Sequence, residues 1–197
     1  MTDLAAFTSR WRANWADELP IGSLLRGHRD RWVRFHSLPG SKRYPETDDE
    51  TGEMLFRYNT VLGELVTSDL SVSNTEQLLY VLTHSWSESR FPMIRDSDLV
   101  HALPDAELWQ SLPPDDYSEC WTHVWVSTTV WAPGALDPLF TLVGDDGTAD
   151  VIIMDRDCTW AHHPYDGGSD VIAPSTAVRD LLASRHREWL SYRADGL

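Results

Sequence analysis

Apolar residues repeat along this chain with two different periods, and these periods predict which segments are helices and which are strands. In residues 3–17 the large apolar residues recur every three or four positions, the spacing of one helical face: Leu4, Phe7, Trp11 and Trp15. A capping box at Thr47 to Glu50 opens a second helix that we expect to reach about Val66. Its predicted buried side is formed by Leu55, Tyr58, Leu62 and Leu65.

Two further helices are predicted in the second half of the chain. Asp137 followed by Pro138 is typical of an N-cap with proline in the first turn, and Gly144 should end that helix. Pro174 and Ser175 open the last helix. Its predicted core side is formed by Val178, Leu181, Leu182, Trp189 and Leu190.

Alternating or continuous apolar runs predict the strands. Residues 31–37 alternate, so that Trp32, Arg34 and His36 share one face, and residues 119–131 alternate most clearly. Residues 77–86 are almost continuously apolar, which favours a central position in a sheet. Residues 151–154 and 158–163 should pair as a hairpin around a turn at 155–157. Pro164 and the Gly167–Gly168 pair should break its second strand, after which residues 170–173 extend again.

The segment from Asp96 to Glu119 is the least regular part of the pattern. It contains seven acidic residues, no lysine and no arginine. We interpret it as a solvated, partly helical excursion, and an acidic docking surface is the alternative.

Helices and antiparallel strands alternate here without a regular βαβ cycle, internal repeat or linker. The 197 residues are therefore predicted to form a single α+β domain, residues 1–197. A mainly antiparallel central sheet would carry the packed helices, with one helix at each end of the chain.

The charge balance restricts the possible partners. With a formal net charge of −15, the chain is not expected to bind nucleic acid or an anionic membrane, whereas a basic protein partner would be attracted. No apolar run approaches the roughly 20 residues of a membrane span, and the N-terminus lacks the apolar core of a signal peptide. We therefore expect a cytoplasmic protein. Cys120 and Cys158 fit no metal spacing and are predicted to be reduced core thiols, with a disulfide as the alternative.

The first group of candidate site residues is His162, His163, Asp166 and Asp170. Imidazole and carboxylate groups suit zinc or iron, and a histidine could serve as a base. Neighbouring side chains of a strand point to opposite faces, so both histidines cannot bind one ion unless Pro164 distorts the backbone. We predict no metal and no cofactor, and we interpret the segment as a structural loop pinned by its aspartates.

A second group of candidates concerns ligand binding. His123 lies between Trp121 and Trp125 on one strand face, and such an aromatic face could hold a planar or cationic ligand or simply belong to the core. Arg34 and His36, near Lys42 and Arg43, could form a local anion site, but arginines on a strand usually pair with carboxylates. Tyr165 joins the candidates because it lies beside the paired histidines.

The segments RWVRFHSLPGSKRY, DVIIMD and HHPYDGGSDVI resemble a family of uncharacterised bacterial proteins of actinobacterial type, with an HPYDGG signature before a C-terminal helix. The resemblance covers most of the chain and implies no activity. The leading hypothesis is a protein-binding module, an immunity-type partner of a basic toxin domain. The alternative is an enzyme or small-ligand-binding protein with its site around residues 162–170.

Overall fold

All the strands belong to one antiparallel sheet. The computed structural model describes residues 2–68, 77–115 and 118–193. Within these ranges seven strands pair in the order β1-β7-β6-β5-β2-β4-β3. They are β1 (Trp32–His36), β2 (Leu78–Ser87), β3 (Glu107–Leu112), β4 (Trp121–Val130), β5 (Ile152–Asp155), β6 (Ala161–Tyr165) and β7 (Gly168–Ile172). As predicted, β2 is an interior strand, and β5 and β6 form a hairpin.

Five helices accompany the sheet in the described ranges. They are α1 (Leu4–Trp15), α2 (Asp48–Ser68), α3 (Ser97–Ala102), α4 (Asp137–Gly144) and α5 (Thr176–Arg185). The Thr47 hydroxyl accepts from the Glu50 amide at 3.2 Å, which is one half of the predicted capping box. The Glu50 carboxylate accepts from the Glu46 amide at 2.7 Å, one residue before the cap.

The helices cover both faces of the sheet, and each face has its own core. Phe7, Trp11 and Trp15 of α1 pack on one face with Tyr80 and Leu82 of β2. Helices α2, α4 and α5 pack on the opposite face, where Leu79 and Val81 of the same strand belong to their core. Consecutive residues of β2 therefore enter different cores, which explains why its apolar run is nearly continuous. The chain is a single α+β domain, as predicted.

Two sequence predictions about the strands were wrong in detail. Residues 107–112 of the acidic excursion form the edge strand β3, and Asp116 of that excursion lies outside the described residues. Pro164 does not break β6. Pro164 lies within β6, opposite Ser169 of β7. The pairing of β6 with β5 ends at His162, so the amide hydrogen that proline lacks interrupts no hydrogen-bonded ladder. The break comes at Gly167, whose φ of 87° favours glycine.

The two later helices also differ from expectation at their ends. Leu136 rather than Asp137 is the N-cap of α4. Helix α5 ends at Arg185, and Trp189 reaches the core from a separate 3-10 turn, while Leu181 is 48% exposed. The predicted apolar stripe over residues 178–190 assumed one continuous helix. Because the helix ends at Arg185, the residues after it no longer follow the helical spacing.

Both cysteines are free thiols, and burial raises the pKa of Cys158 to about 12. Of the helices in the described ranges, none has the length and apolarity required to cross a membrane.

Candidate functional site

The carboxylate of Asp170 is the centre of a buried ionic cluster on the α1 face of the sheet. Asp170 lies in β7 and is fully buried. It accepts hydrogen bonds from Arg26 Nε at 2.5 Å, Trp32 Nε1 at 2.9 Å and Arg34 Nε at 3.3 Å. We call these four residues the Asp170 cluster. Through these three hydrogen bonds the carboxylate connects β7 both to β1 and to Arg26, which lies in the segment before β1.

Tyr165 and His163 border the Asp170 cluster. The guanidinium groups of Arg26 and Arg34 lie 5.6 and 5.4 Å from the centre of the Tyr165 ring. His163 is paired with Asp170 in the β6–β7 register, and its Nδ1 bonds to the Val151 carbonyl at 2.7 Å. A Cβ atom added at Gly22 would lie 2.3 Å from the His163 ring, so the glycine backbone closes over the imidazole.

His162 lies on the opposite face of the sheet from His163, as the strand alternation predicted. Its ring packs against Tyr58 and Phe140, with ring centres 6.2 Å away in each case. Neither ring nitrogen has a hydrogen-bond partner in the described ranges, and burial lowers the pKa of His162 to about 3. In the part of the chain that is described, no three His, Cys, Asp or Glu side chains are grouped to hold a metal ion.

The cationic residues of the possible anion site pair with carboxylates. Besides the Arg34 contact with Asp170, Lys42 Nζ donates to Glu50 at 2.7 Å and to Glu46 at 3.0 Å. Arg43 pairs with Asp166 at the β6–β7 turn. Burial lowers the pKa of His36. This matches the alternative interpretation of the sequence, in which the arginines pair with nearby carboxylates and do not form an anion site.

His123 of β4 lies at the other end of the sheet order, away from β1, β6 and β7. It is fully buried, and its Nε2 and Nδ1 atoms share hydrogen bonds with the hydroxyls of Ser87 at 2.8 Å and Ser111 at 2.7 Å. A serine beside a histidine is half of a nucleophilic relay, but here the second ring nitrogen meets a hydroxyl rather than a carboxylate. The three residues link β2, β3 and β4, which is a structural role in the core.

Trp121 and Trp125 flank His123 along β4 but have different surroundings. Trp121 is paired with Ser87 at the start of the strand. Trp125 donates from its indole nitrogen to Ser85 Oγ at 3.0 Å, and the guanidinium of Arg95 lies 5.5 Å from its ring centre. Of the three residues of this predicted aromatic face, Trp125 lines a small cavity together with Trp86 at the end of β2.

An exposed apolar surface, which the sequence analysis did not single out, follows β2. Phe91 is 64%, Met93 71% and Ile94 98% exposed. Trp86 at the end of β2 and Val100 of α3 are exposed beside them in the chain. We call these five residues the loop surface. Its sequence signal is the run Phe-Pro-Met-Ile at 91–94, which has neither helical nor strand periodicity.

The fold and these two sites define a small, acidic α+β domain with a buried ionic cluster between β7 and β1 and an exposed apolar loop after β2. The chain belongs to the family described as Domain of unknown function (DUF3885), which matches residues 21–194. The matched range contains the Asp170 cluster and the loop surface, and helix α1 precedes it. No curated protein and no solved structure matches the chain.

Proposed function

We propose that this protein is a cytoplasmic binding module that docks a basic protein partner on the loop surface. The observation that carries the proposal is the concentration of large exposed apolar side chains in residues 86–100. Contiguous apolar patches larger than roughly a few hundred Å² are rare on soluble monomers and mark interaction sites, and five large exposed side chains within 15 residues favour such a patch here. Full burial of a side chain such as Ile94 contributes roughly 1.5–3 kcal/mol, so this surface is a source of binding free energy.

The charges around the loop surface favour a basic partner. Three carboxylates, Glu88, Asp96 and Asp98, are exposed beside it, against one exposed guanidinium, that of Arg90, which lies over the Phe91 ring. Together with the net charge of −15, these carboxylates would steer a basic protein towards the apolar anchors and increase its association rate at low salt.

A photocrosslinking residue at position 94 tests the proposal in the native cell. It should capture a single protein of basic isoelectric point, and a crosslinker at Leu181, which is also exposed and apolar but lies on α5, should not. The purified partner should bind the chain at low ionic strength and lose affinity with salt. Substitution of Met93 and Ile94 by aspartate should weaken binding at least 100-fold by calorimetry. Capture of no protein at position 94, or of an acidic one, would overturn the proposal.

A basic toxin domain is the partner that an immunity-type role requires. In that role, co-expression of this chain should rescue cells that express the toxin domain, and the Met93→Asp, Ile94→Asp double variant should fail to do so. Rescue by the double variant would separate the immunity role from the loop surface.

A further inference from the structure

Within the described ranges β1 is an edge strand of the sheet, and a groove of about 550 Å³ lies beside it. Helix α5 and the chain after it form the other side of the groove. The polar residues that line it are Arg29, Arg34, Arg179, Asp180, Ser191 and Arg193. The opposite edge strand, β3, is interrupted by a register shift after Leu108, whereas β1 pairs with β7 without one. Irregular edges hinder the addition of further strands, so β1 is the edge better suited to receive one.

The register of β1 against β7 shows which backbone groups point away from the sheet. The Ala173 amide donates to the Arg31 carbonyl at 3.0 Å, and the Ser37 amide donates to the Gly167 carbonyl at 3.1 Å. Hydrogen-bonded and non-hydrogen-bonded residues alternate in an antiparallel pair, so the odd-numbered residues of β1 bond to β7. Its even-numbered residues, with Arg34 in the middle, therefore direct their amides and carbonyls to the free edge.

Two of these six outward groups are already bonded. The Trp32 amide donates to the His28 carbonyl at 2.9 Å, and the His36 carbonyl accepts from Arg57 Nη1 at 3.0 Å. The other four have no hydrogen-bond partner in the described ranges: the Trp32 carbonyl, both Arg34 groups and the His36 amide. Unpaired backbone groups along an edge are a template for another strand.

The side chains around this edge favour an acidic strand. Four arginines line the groove, and Asp180, which pairs with Arg179 at 2.6 Å, is the one carboxylate among its described lining residues. Arg34 is held by the buried Asp170, so its backbone is what it offers to a ligand. Arg29 is exposed, and none of the salt bridges in the described ranges includes it.

The two sides of β1 differ in chemistry. Trp32 lies on the α1 face of the sheet, whereas α5 with Arg179 lies on the opposite face. Side chains of a strand added to β1 would alternate between these two faces. A segment that alternates acidic and apolar residues therefore places carboxylates towards the arginine of α5 and apolar groups towards the indole.

We propose that β1 accepts an extended acidic segment of a partner protein as an additional strand of the sheet. Backbone hydrogen bonds hold such a segment, and its alternating side chains select it. The net charge of −15 repels an acidic ligand at long range, but at about 0.15 M salt charges more than about 8 Å away are largely screened, whereas the groove arginines are in contact. The proposal does not depend on the loop surface, which follows β2.

Amide hydrogen exchange of the 15N-labelled chain, measured by NMR at about 0.15 M salt, tests the proposal. The probe is an acetylated, amidated heptapeptide of alternating glutamate and valine, with an expected Kd on the order of 100 μM. At roughly 1 mM peptide the Arg34 and His36 amides should exchange about 10-fold more slowly, since the open edge is then mostly occupied. The Val33 and Phe35 amides already bond to β7 and should not change.

Two control peptides separate strand pairing from charge attraction. The same peptide N-methylated at its three central residues cannot pair along either edge and should not slow exchange. A peptide with glutamine in place of glutamate should bind at least 10-fold more weakly. Sodium tripolyphosphate, an anion without a backbone, should leave the Arg34 and His36 amides unprotected.

Substitutions in the groove test the contribution of its arginines. The Arg29→Gln, Arg179→Gln double variant should bind the acidic peptide at least 10-fold more weakly, whereas Arg90→Gln, which removes an exposed guanidinium after β2, should bind it normally. If the double variant does not fold, Arg29→Gln alone decides, with an expected loss of about threefold. No slowing of exchange up to roughly 5 mM peptide, equal slowing by the N-methylated peptide or tripolyphosphate, or unchanged affinity in the arginine variants would overturn the proposal.

Discussion

The buried imidazole of His162 should make the protein less stable in mild acid. Unfolded, the ring has an ordinary pKa of about 6.5, whereas in the folded protein burial lowers the pKa to about 3. Below pH 6.5 the unfolded chain therefore binds a proton that the folded chain does not bind. Stability contributed by the neutral ring is present above pH 6.5 and is lost progressively as the pH falls towards 3.

Linkage gives the size of this effect. Between pH 7.5 and pH 5.0, one such histidine lowers the free energy of unfolding by RT ln(1 + 10^(6.5−5.0)), or about 2 kcal/mol. This loss in the free energy of unfolding is nearly the same for any folded pKa below about 4. Its size therefore requires only that the His162 ring stays uncharged in the folded core at pH 5.0. Burial also lowers the pKa of His84 and His163, so the wild-type protein should lose more in total.

Substitution of His162 by leucine isolates this contribution. The variant should lose about 2 kcal/mol less than the wild type between pH 7.5 and pH 5.0 in urea unfolding followed by tryptophan fluorescence. At pH 7.5 it should be about 1 kcal/mol more stable than the wild type, because two buried nitrogens without partners are removed.

His101→Gln provides the matched control. The side chain of His101 is exposed on α3, so its imidazole is hydrated in both states and the variant should keep the wild-type pH difference. Equal losses in His162→Leu and wild type, or the same gain in His101→Gln, would show that the buried His162 ring does not cause the loss of stability in acid.

Three further predictions concern the other buried groups. Asp170→Asn should cost about 3 kcal/mol in urea unfolding because two guanidinium groups lose their counter-ion, whereas Asp166→Asn, which removes a pair with the mostly exposed Arg43, should cost less than about 1 kcal/mol. Gly22→Ala should destabilise the protein by about 2 kcal/mol through its clash with His163, and equal Tm values would contradict that contact. Cys158 should react with a thiol reagent at pH 8 only after unfolding, since burial raises its pKa to about 12; immediate modification in the native protein would show that the thiol is accessible.

The candidate site shows where sequence reasoning reached its limit. Strand alternation alone separated His162 from His163, and the structure places them on opposite faces of the sheet. The run at 91–94 was visible as letters, but an apolar loop can be buried or exposed, and local pattern does not distinguish the two. Arg95 gave no signal, because the position of its guanidinium over the Trp125 ring depends on the folded arrangement of α3 and β4.

Local sequence pattern was enough to place most of the helices and strands, the antiparallel β5–β6 hairpin, the interior position of β2 and the acidic character, because apolar periodicity and charge are local properties. Two features appear only in the folded chain: Asp170 meets Arg26 across 144 positions of sequence, and residues 107–112 join the sheet edge. These contacts depend on strand order and loop path, which the packing of both faces of the sheet sets and no local period encodes.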